Sequence, residues 1–176
     1  MAQFWLRFLV ASALLATSVV LSAQGPDFSG TYLLVHGGRP SVKNLVMTVG
    51  QTRDEFRTTR TFDEERRVDA GKAVAFRHEE KIIAPLGGST RSSSFQPAYA
   101  TILPGASSAK AHFEGEKLVV EADAAGPNDT QAEAHLREVW QLSPDRKTLT
   151  VQRRMVGAFG DFAEVSPNPT QIYQRR

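Results

Sequence analysis

"REVWQLSPDRKTLTVQRR", residues 137–154, decides the reading of this chain. Apolar and polar residues alternate on both sides of a break at "SPDRK". Leu136, Trp140 and Leu142 share one face before the break, and Leu149 and Val151 share one face after it. Period two over such lengths is the signature of a half-buried β-strand. Pro144, with its fixed φ, suits the second position of a type I turn, and Asp145 follows it naturally. The stretch therefore reads as a β-hairpin. It is also basic, with Arg137, Arg146, Lys147, Arg153 and Arg154. Two of these lie in the turn, Arg137 lies on the polar face, and the adjacent Arg153 and Arg154 point to opposite faces. The cations do not form one patch.

The same period recurs along the chain. "GTYLLVH" (30–36), "NLVMTVGQT" (44–52), "EFRTTRTF" (55–62), "KAVAFRHEEKII" (72–83), "AYATIL" (98–103), "AKAHFEG" (109–115), "KLVVEADA" (117–124) and "TQIYQRR" (170–176) all read as strands. Turn chemistry separates them, as in "GGRPS" and in "EGE" at 114–116. In 55–62, Phe56, Thr58, Arg60 and Phe62 alternate against Glu55, Arg57, Thr59 and Thr61. The Glu-, Arg- and Ala-rich run 63–80 admits a helix as well as a strand, although no apolar stripe forms and Gly71 interrupts it. "APLGGSTRSSSFQP" (84–97), "GPNDTQA" (126–132) and "GAFGDFAEVSPNP" (157–169) read as loops. The fold class expected is all-β: an antiparallel, up-and-down barrel of about eight to ten strands, closed so that no edge is left.

Composition narrows the setting. The chain has 176 residues, enough for one domain with a core of its own, and no cysteine. Residues 1–23 carry one positive charge at Arg7, an uncharged apolar run from Phe8 to Leu21, and small residues at Ser22 and Ala23. That is the tripartite pattern of a cleaved signal peptide, and the run is short for a membrane span. The expectation is an exported, periplasmic or secreted chain whose single domain is 24–176, with no stable membrane span after processing. The balance of 21 basic and 19 acidic residues leaves a net charge of only +2. Nucleic-acid binding calls for a concentrated cationic surface, so no nucleic-acid partner is expected.

"DFSGTY" (27–32), directly after the leader, resembles the opening Asp-Phe-Ser-Gly-Thr-Trp of small secreted bacterial proteins of lipocalin-like character. "SSAKAHFEGEKLVVEA" (107–122), the 137–154 hairpin and the final "QIYQRR" continue the likeness over most of the mature chain. In lipocalins a Gly-x-Trp motif opens the first strand, and its Trp closes the barrel floor against an arginine from a late strand. Gly30 and Thr31 fit that motif, and Tyr32 replaces the Trp. The resemblance implies that Arg153, Arg154 or Arg175 stacks on Tyr32. It implies an apolar barrel interior without naming a ligand.

Catalytic and metal chemistry find little support. His36, His78, His112 and His135 form no HxH or HExxH pair, and there is no thiolate for a zinc site. On a strand His78 aligns with Glu80 and not with Glu79, and both residues read as a solvated strand edge. Ser92, Ser93 and Ser94 lie in no nucleophile motif. The carboxylate pairs Glu64–Glu65 and Glu114–Glu116 sit in turns or on polar faces, and Gly37-Gly38 and Gly87-Gly88 lack the lysine of a phosphate loop. No catalytic residue, metal or cofactor is called for. The aromatics point elsewhere. Tyr32, Phe56, Phe76, Phe113, Trp140 and Tyr173 fall one to a strand, and Phe95 and Tyr99 flank the serine-rich loop. Together these eight are the candidate lining of an interior cavity, and a small apolar molecule is the candidate ligand. The competing reading is an interaction module with a filled core, an inhibitor or assembly accessory, whose function lies in loops 84–97 and 157–169.

Overall fold

Alternation, more than propensity, builds this molecule. The computed structural model describes residues 25–67, 72–89, 91–98, 106–125, 133–159, 162–163 and 170–176. Residues 1–23, read above as a leader, most of the strand expected at 98–103 with Tyr99, and the expected loop 126–132 lie outside them. The strands are β1 (Gly30–His36), β2 (Val42–Gln51), β3 (Glu55–Arg67), β4 (Ala73–Pro85), β5 (Ser94–Gln96), β6 (Ser107–Glu114), β7 (Lys117–Ala125), β8 (Glu133–Leu142), β9 (Thr148–Phe159), β10 (Phe162–Ala163) and β11 (Thr170–Arg175). All ladders between them are antiparallel, and sequence neighbours are spatial neighbours. β10 pairs only with β9, and the last strand returns to pair with the first, Tyr32 opposite Arg175. Ten strands thus form a nearly closed up-and-down barrel. Its seam lies between β5 and β6, bridged by the parallel pair Leu86–Ala111 and by the Phe95 amide donating to Ser107 Oγ at 3.2 Å.

The 137–154 stretch forms the β8–β9 hairpin. Arg146 N donates to the Ser143 carbonyl across Pro144 and Asp145, and Arg146 takes a positive φ of 58°. Asp145 Oδ1 accepts from Ser143 Oγ at 2.6 Å and from Lys147 N at 3.1 Å, which locks the turn. "EGE" likewise closes β6 onto β7, with Gly115 at a φ of 63°.

One open alternative is decided and two loop expectations are corrected. Most of 63–80 is strand, because β3 and β4 pair continuously from Glu55–Pro85 to Arg67–Ala73. Glu, Arg and Ala favour a helix, but pairing along both strand lengths and burial of one face override that preference. Segment 84–97 is not wholly a loop either. β4 runs to Pro85, and Ser94–Gln96 pairs with Lys81–Ile83 because Phe95 and Pro97 are buried there. In the third loop, 157–169, strand continues to Phe159 and resumes at Phe162–Ala163.

The interior is layered. At one end Phe28, from the segment before β1, plugs the barrel. Its ring meets Trp140 edge-on at 6.2 Å and stacks at 6.5 Å on Phe113, and Trp140 meets Phe56 edge-on at 5.0 Å. Edge-to-face pairs at these spacings add to simple area burial. Tyr32, fully buried, donates its hydroxyl to the Phe28 carbonyl at 2.8 Å. Of the three arginines that could cap Tyr32, Arg175 does so, its guanidinium 5.6 Å from the ring centroid and donating to the Ser29 carbonyl. Gly30 allows this approach. Its φ is +149°, and a Cβ there would lie 2.8 Å from Arg175 Nε.

Candidate functional site

Inward positions of β3, β4, β8 and β9 do not carry apolar residues throughout. At one level they carry Arg60, Glu80, Glu138 and Arg153, all buried, Glu138 completely. Arg60 and Glu80 are direct cross-strand partners, and so are Glu138 and Arg153. The two hairpins face each other across the barrel, so each ion pair also reaches the opposite wall. Arg60 donates to Glu80 Oε1 at 2.6 Å and across the lumen to Glu138 Oε2 at 2.9 Å. Arg153 donates to Glu138 Oε1 at 2.5 Å and across the lumen to Glu80 Oε2 at 2.6 Å. The set is electrically neutral and rests on the aromatic layer. Trp140 Nε1 donates to Glu138 Oε2 at 2.9 Å, and the Arg60 guanidinium lies 5.4 Å from the Trp140 ring centroid.

Burial and pairing pull in opposite directions here. Burial alone pushes the Glu80 carboxyl up, but the charges and hydrogen bonds of Arg153 and Arg60 outweigh it and hold the group below its ordinary value. Burial disfavours the charged Arg60 in the same way, and Glu138 and Glu80 reverse the effect and raise it. Buried charges survive only when paired and hydrogen-bonded, and these are. Beside them Tyr173, fully enclosed, is pushed up to about 12 by burial; its hydroxyl donates to Gln171 Oε1 at 2.8 Å.

Above the network the described residues line a cavity of about 40 Å³. Arg60, Glu80 and Arg153 form its base, with Leu45, Phe62, Arg39 and Gln171 among its walls. Nearer the rim Glu64 is buried, accepts from Arg66 Nε at 2.7 Å, and lies 3.4 Å from His78 Nε2. His78 stacks on Phe62 with ring centroids 5.3 Å apart. Neither His78 nor Glu80 is therefore a solvated edge. Both face inward, because β4 is covered on that side by the barrel. Gly37 shapes the rim, since its φ is +89° and a Cβ would lie 2.0 Å from the Thr170 carbonyl oxygen.

The predicted lining is partly brought together. Tyr32, Phe56, Phe95, Trp140 and Tyr173 are buried in one core cluster, and Phe113 packs against it half-buried. They belong to the packed core of the barrel, with Phe56 meeting Trp140 edge-on. Phe76 keeps the inward parity of Ile82 but lies on the far part of the β3–β4 hairpin, 41% exposed, with the Arg66 guanidinium 6.0 Å from its ring centroid. The charged residues at the cavity base were missed as a set. Arg60 and Glu80 each had the right parity in their strands, and Glu138 sits between Leu136 and Trp140 on the inward face. An inward charge on each of four strands, two of either sign, is the signal that reading the strands one at a time passes over.

Other charges stay outside. Arg154 is exposed beside Arg137, Arg137 lies 3.9 Å from Glu121, and Lys110 lies 2.9 Å from the same carboxylate. His135 pairs with Asp123 at 2.6 Å and His112 with Glu114 at 3.2 Å, all exposed. Among the described residues no group of three or more His, Asp or Glu converges as a metal site would require. No protein family, curated protein or solved structure matches the chain.

Proposed function

We propose that this chain is an exported, lipocalin-like binding protein that holds a small molecule in the cavity above its buried ion pairs. The observation that carries the reading is the cavity whose base is Arg60, Glu80 and Arg153 and whose walls include Phe62 and Leu45. Small-molecule sites combine an apolar lining with a few convergent polar groups, and this cavity has both. The interior below is occupied by packed aromatics, so the ligand enters only as far as the ion pairs. An apolar part lies along the rim. Outward-facing positions carry Arg57, Lys81, Lys110, Glu121 and Arg137, which is unlike the apolar band of a membrane-spanning barrel. Export rests on the tripartite leader.

Native mass spectrometry of the protein isolated from its own host tests both parts together. A chain starting after Ser22 or Ala23 with a co-purifying small mass is expected. A ligand-free chain that retains residues 1–23 contradicts the reading. The interaction-module alternative draws on Val74 and Phe76, 38% and 41% exposed on the β3–β4 hairpin. It predicts a co-purifying protein in place of a small mass.

A further inference from the structure

The outer wall of the barrel carries a second recess. Across β6, β7, β8 and β9 the ladders place Lys110, Glu121, Arg137 and Arg154 in one row, each directly opposite the next. On the same outward face Asp123, His135 and Val156 form the adjoining row. The two rows line a groove of about 390 Å³, large enough for a small molecule. Its charges are unevenly matched. Lys110 lies 2.9 Å from Glu121, and His135 lies 2.6 Å from Asp123. Arg137 has the more distant approach of Glu121, at 3.9 Å. Arg154 is exposed directly opposite Arg137, and no carboxylate among the described residues lies within ion-pair distance of it. Like charges opposed on paired antiparallel strands, with Cβ atoms about 5 Å apart, repel each other. An anion seated between them relieves that repulsion.

We infer that the groove binds the phosphomonoester group of a small molecule between Arg137 and Arg154. The site lies outside the barrel, separate from the cavity above the ion pairs, and either stands without the other. Two guanidinium forks present several N–H donors and two positive charges, which a phosphate dianion meets and the single charge of a carboxylate does not. The acids of the groove set where the anion sits. Glu121 and Asp123 both lie on β7, each beside its own cation, so the β8–β9 side is the one open to negative charge. The hydrogen bond from Lys110 holds the Glu121 carboxyl below its ordinary value, which keeps it ionised and tied to that lysine. Val156, 52% exposed and two residues beyond Arg154 on the same face of β9, offers apolar surface to the rest of the ligand.

The test is calorimetric titration of the purified protein at pH 8 with phenyl phosphate, a dianion there, and with benzoate, a monoanion. Phenyl phosphate is expected to bind at least about tenfold tighter than benzoate, the worth of a second close charge pair near a protein surface. Arg137→Gln and Arg154→Gln are each expected to weaken phenyl phosphate about tenfold, with melting temperatures close to that of the parent. Lys81→Gln removes the same charge from the β4 wall, where Lys81 lies 2.6 Å from Glu79, and is expected to leave binding unchanged. If benzoate binds as tightly as phenyl phosphate, the phosphate assignment is overturned. If phenyl phosphate does not bind, if Arg154→Gln binds it as the parent does, or if Lys81→Gln weakens it equally, the site is overturned. Retention of the protein on phosphatidate vesicles without binding of phenyl phosphate assigns the groove to a membrane surface and overturns the small-molecule ligand.

Discussion

Removing Arg153 reveals how much the barrel depends on its internal ion pairs. Arg153→Met keeps a side chain of similar length in β9 but deletes three donated bonds, at 2.9 Å and 2.6 Å to Glu80 and at 2.5 Å to Glu138. The buried set then passes from neutral to net negative, with Arg60 alone facing two carboxylates. Breaking a buried pair from one side costs about 3–5 kcal/mol, because a desolvated charge is left uncompensated. For a domain of this size that is a fall of roughly 10 °C in Tm. The second-site change Glu80→Gln restores neutrality around Arg60 and Glu138, so the double variant should recover about 1–3 kcal/mol relative to Arg153→Met. Arg154→Met is the control: it is exposed on the opposite face of the same strand and should shift stability by less than about 0.5 kcal/mol. Urea unfolding followed by circular dichroism measures five proteins: the parent, Arg153→Met, Glu80→Gln, their double variant and Arg154→Met. Equal losses in Arg153→Met and Arg154→Met, or strict additivity in the double variant, would refute the reasoning.

Three further outcomes follow from the same geometry. Trp140→Phe removes the donor to Glu138 Oε2 and should cost about 2 kcal/mol in urea unfolding, more than its lost ring area alone explains. Acid should unfold the protein through Glu80. Its folded-state value is depressed, so the stability it contributes is complete above its ordinary value of 4.5 and is lost as pH falls through the lower folded value; a pH series of unfolding midpoints flat across that range would contradict this. Tyr173 behaves oppositely: its folded value is raised to about 12, so its contribution holds below the ordinary 10.0 and is lost as pH rises through about 12. Phenolate absorbance should show a late-titrating tyrosine that Tyr173→Phe removes.

How legible the fold was depends on period. Alternation with a turn of known chemistry, as in Leu136–Val151 around Pro144, specifies a hairpin locally, and a succession of hairpins specifies a meander. Segment 63–80 misleads because its residues favour a helix individually, and only pairing with β3 decides otherwise. Phe95 looks like part of a loop because a three-residue strand is too short to show a period. The arginine that caps Tyr32 follows from register, since β11 lies beside β1 and places Arg175 opposite that ring. The site was less legible for a deeper reason. Arg60, Glu80, Glu138 and Arg153 are ordinary charged residues in four separate strands. Their meaning appears only when β3–β4 and β8–β9 face one another, which is a property of barrel closure and not of any one window.

The central claim is that two guanidiniums, Arg60 and Arg153, are shut inside the barrel, each paired with both buried glutamates. Nitrogen-detected NMR of arginine side chains tests it most directly, because exposed guanidinium protons exchange rapidly and enclosed, hydrogen-bonded ones do not. The account predicts two slowly exchanging arginines, identified by their loss in Arg60→Lys and Arg153→Met. Arginine signals that all exchange at the rate of free guanidinium would contradict it.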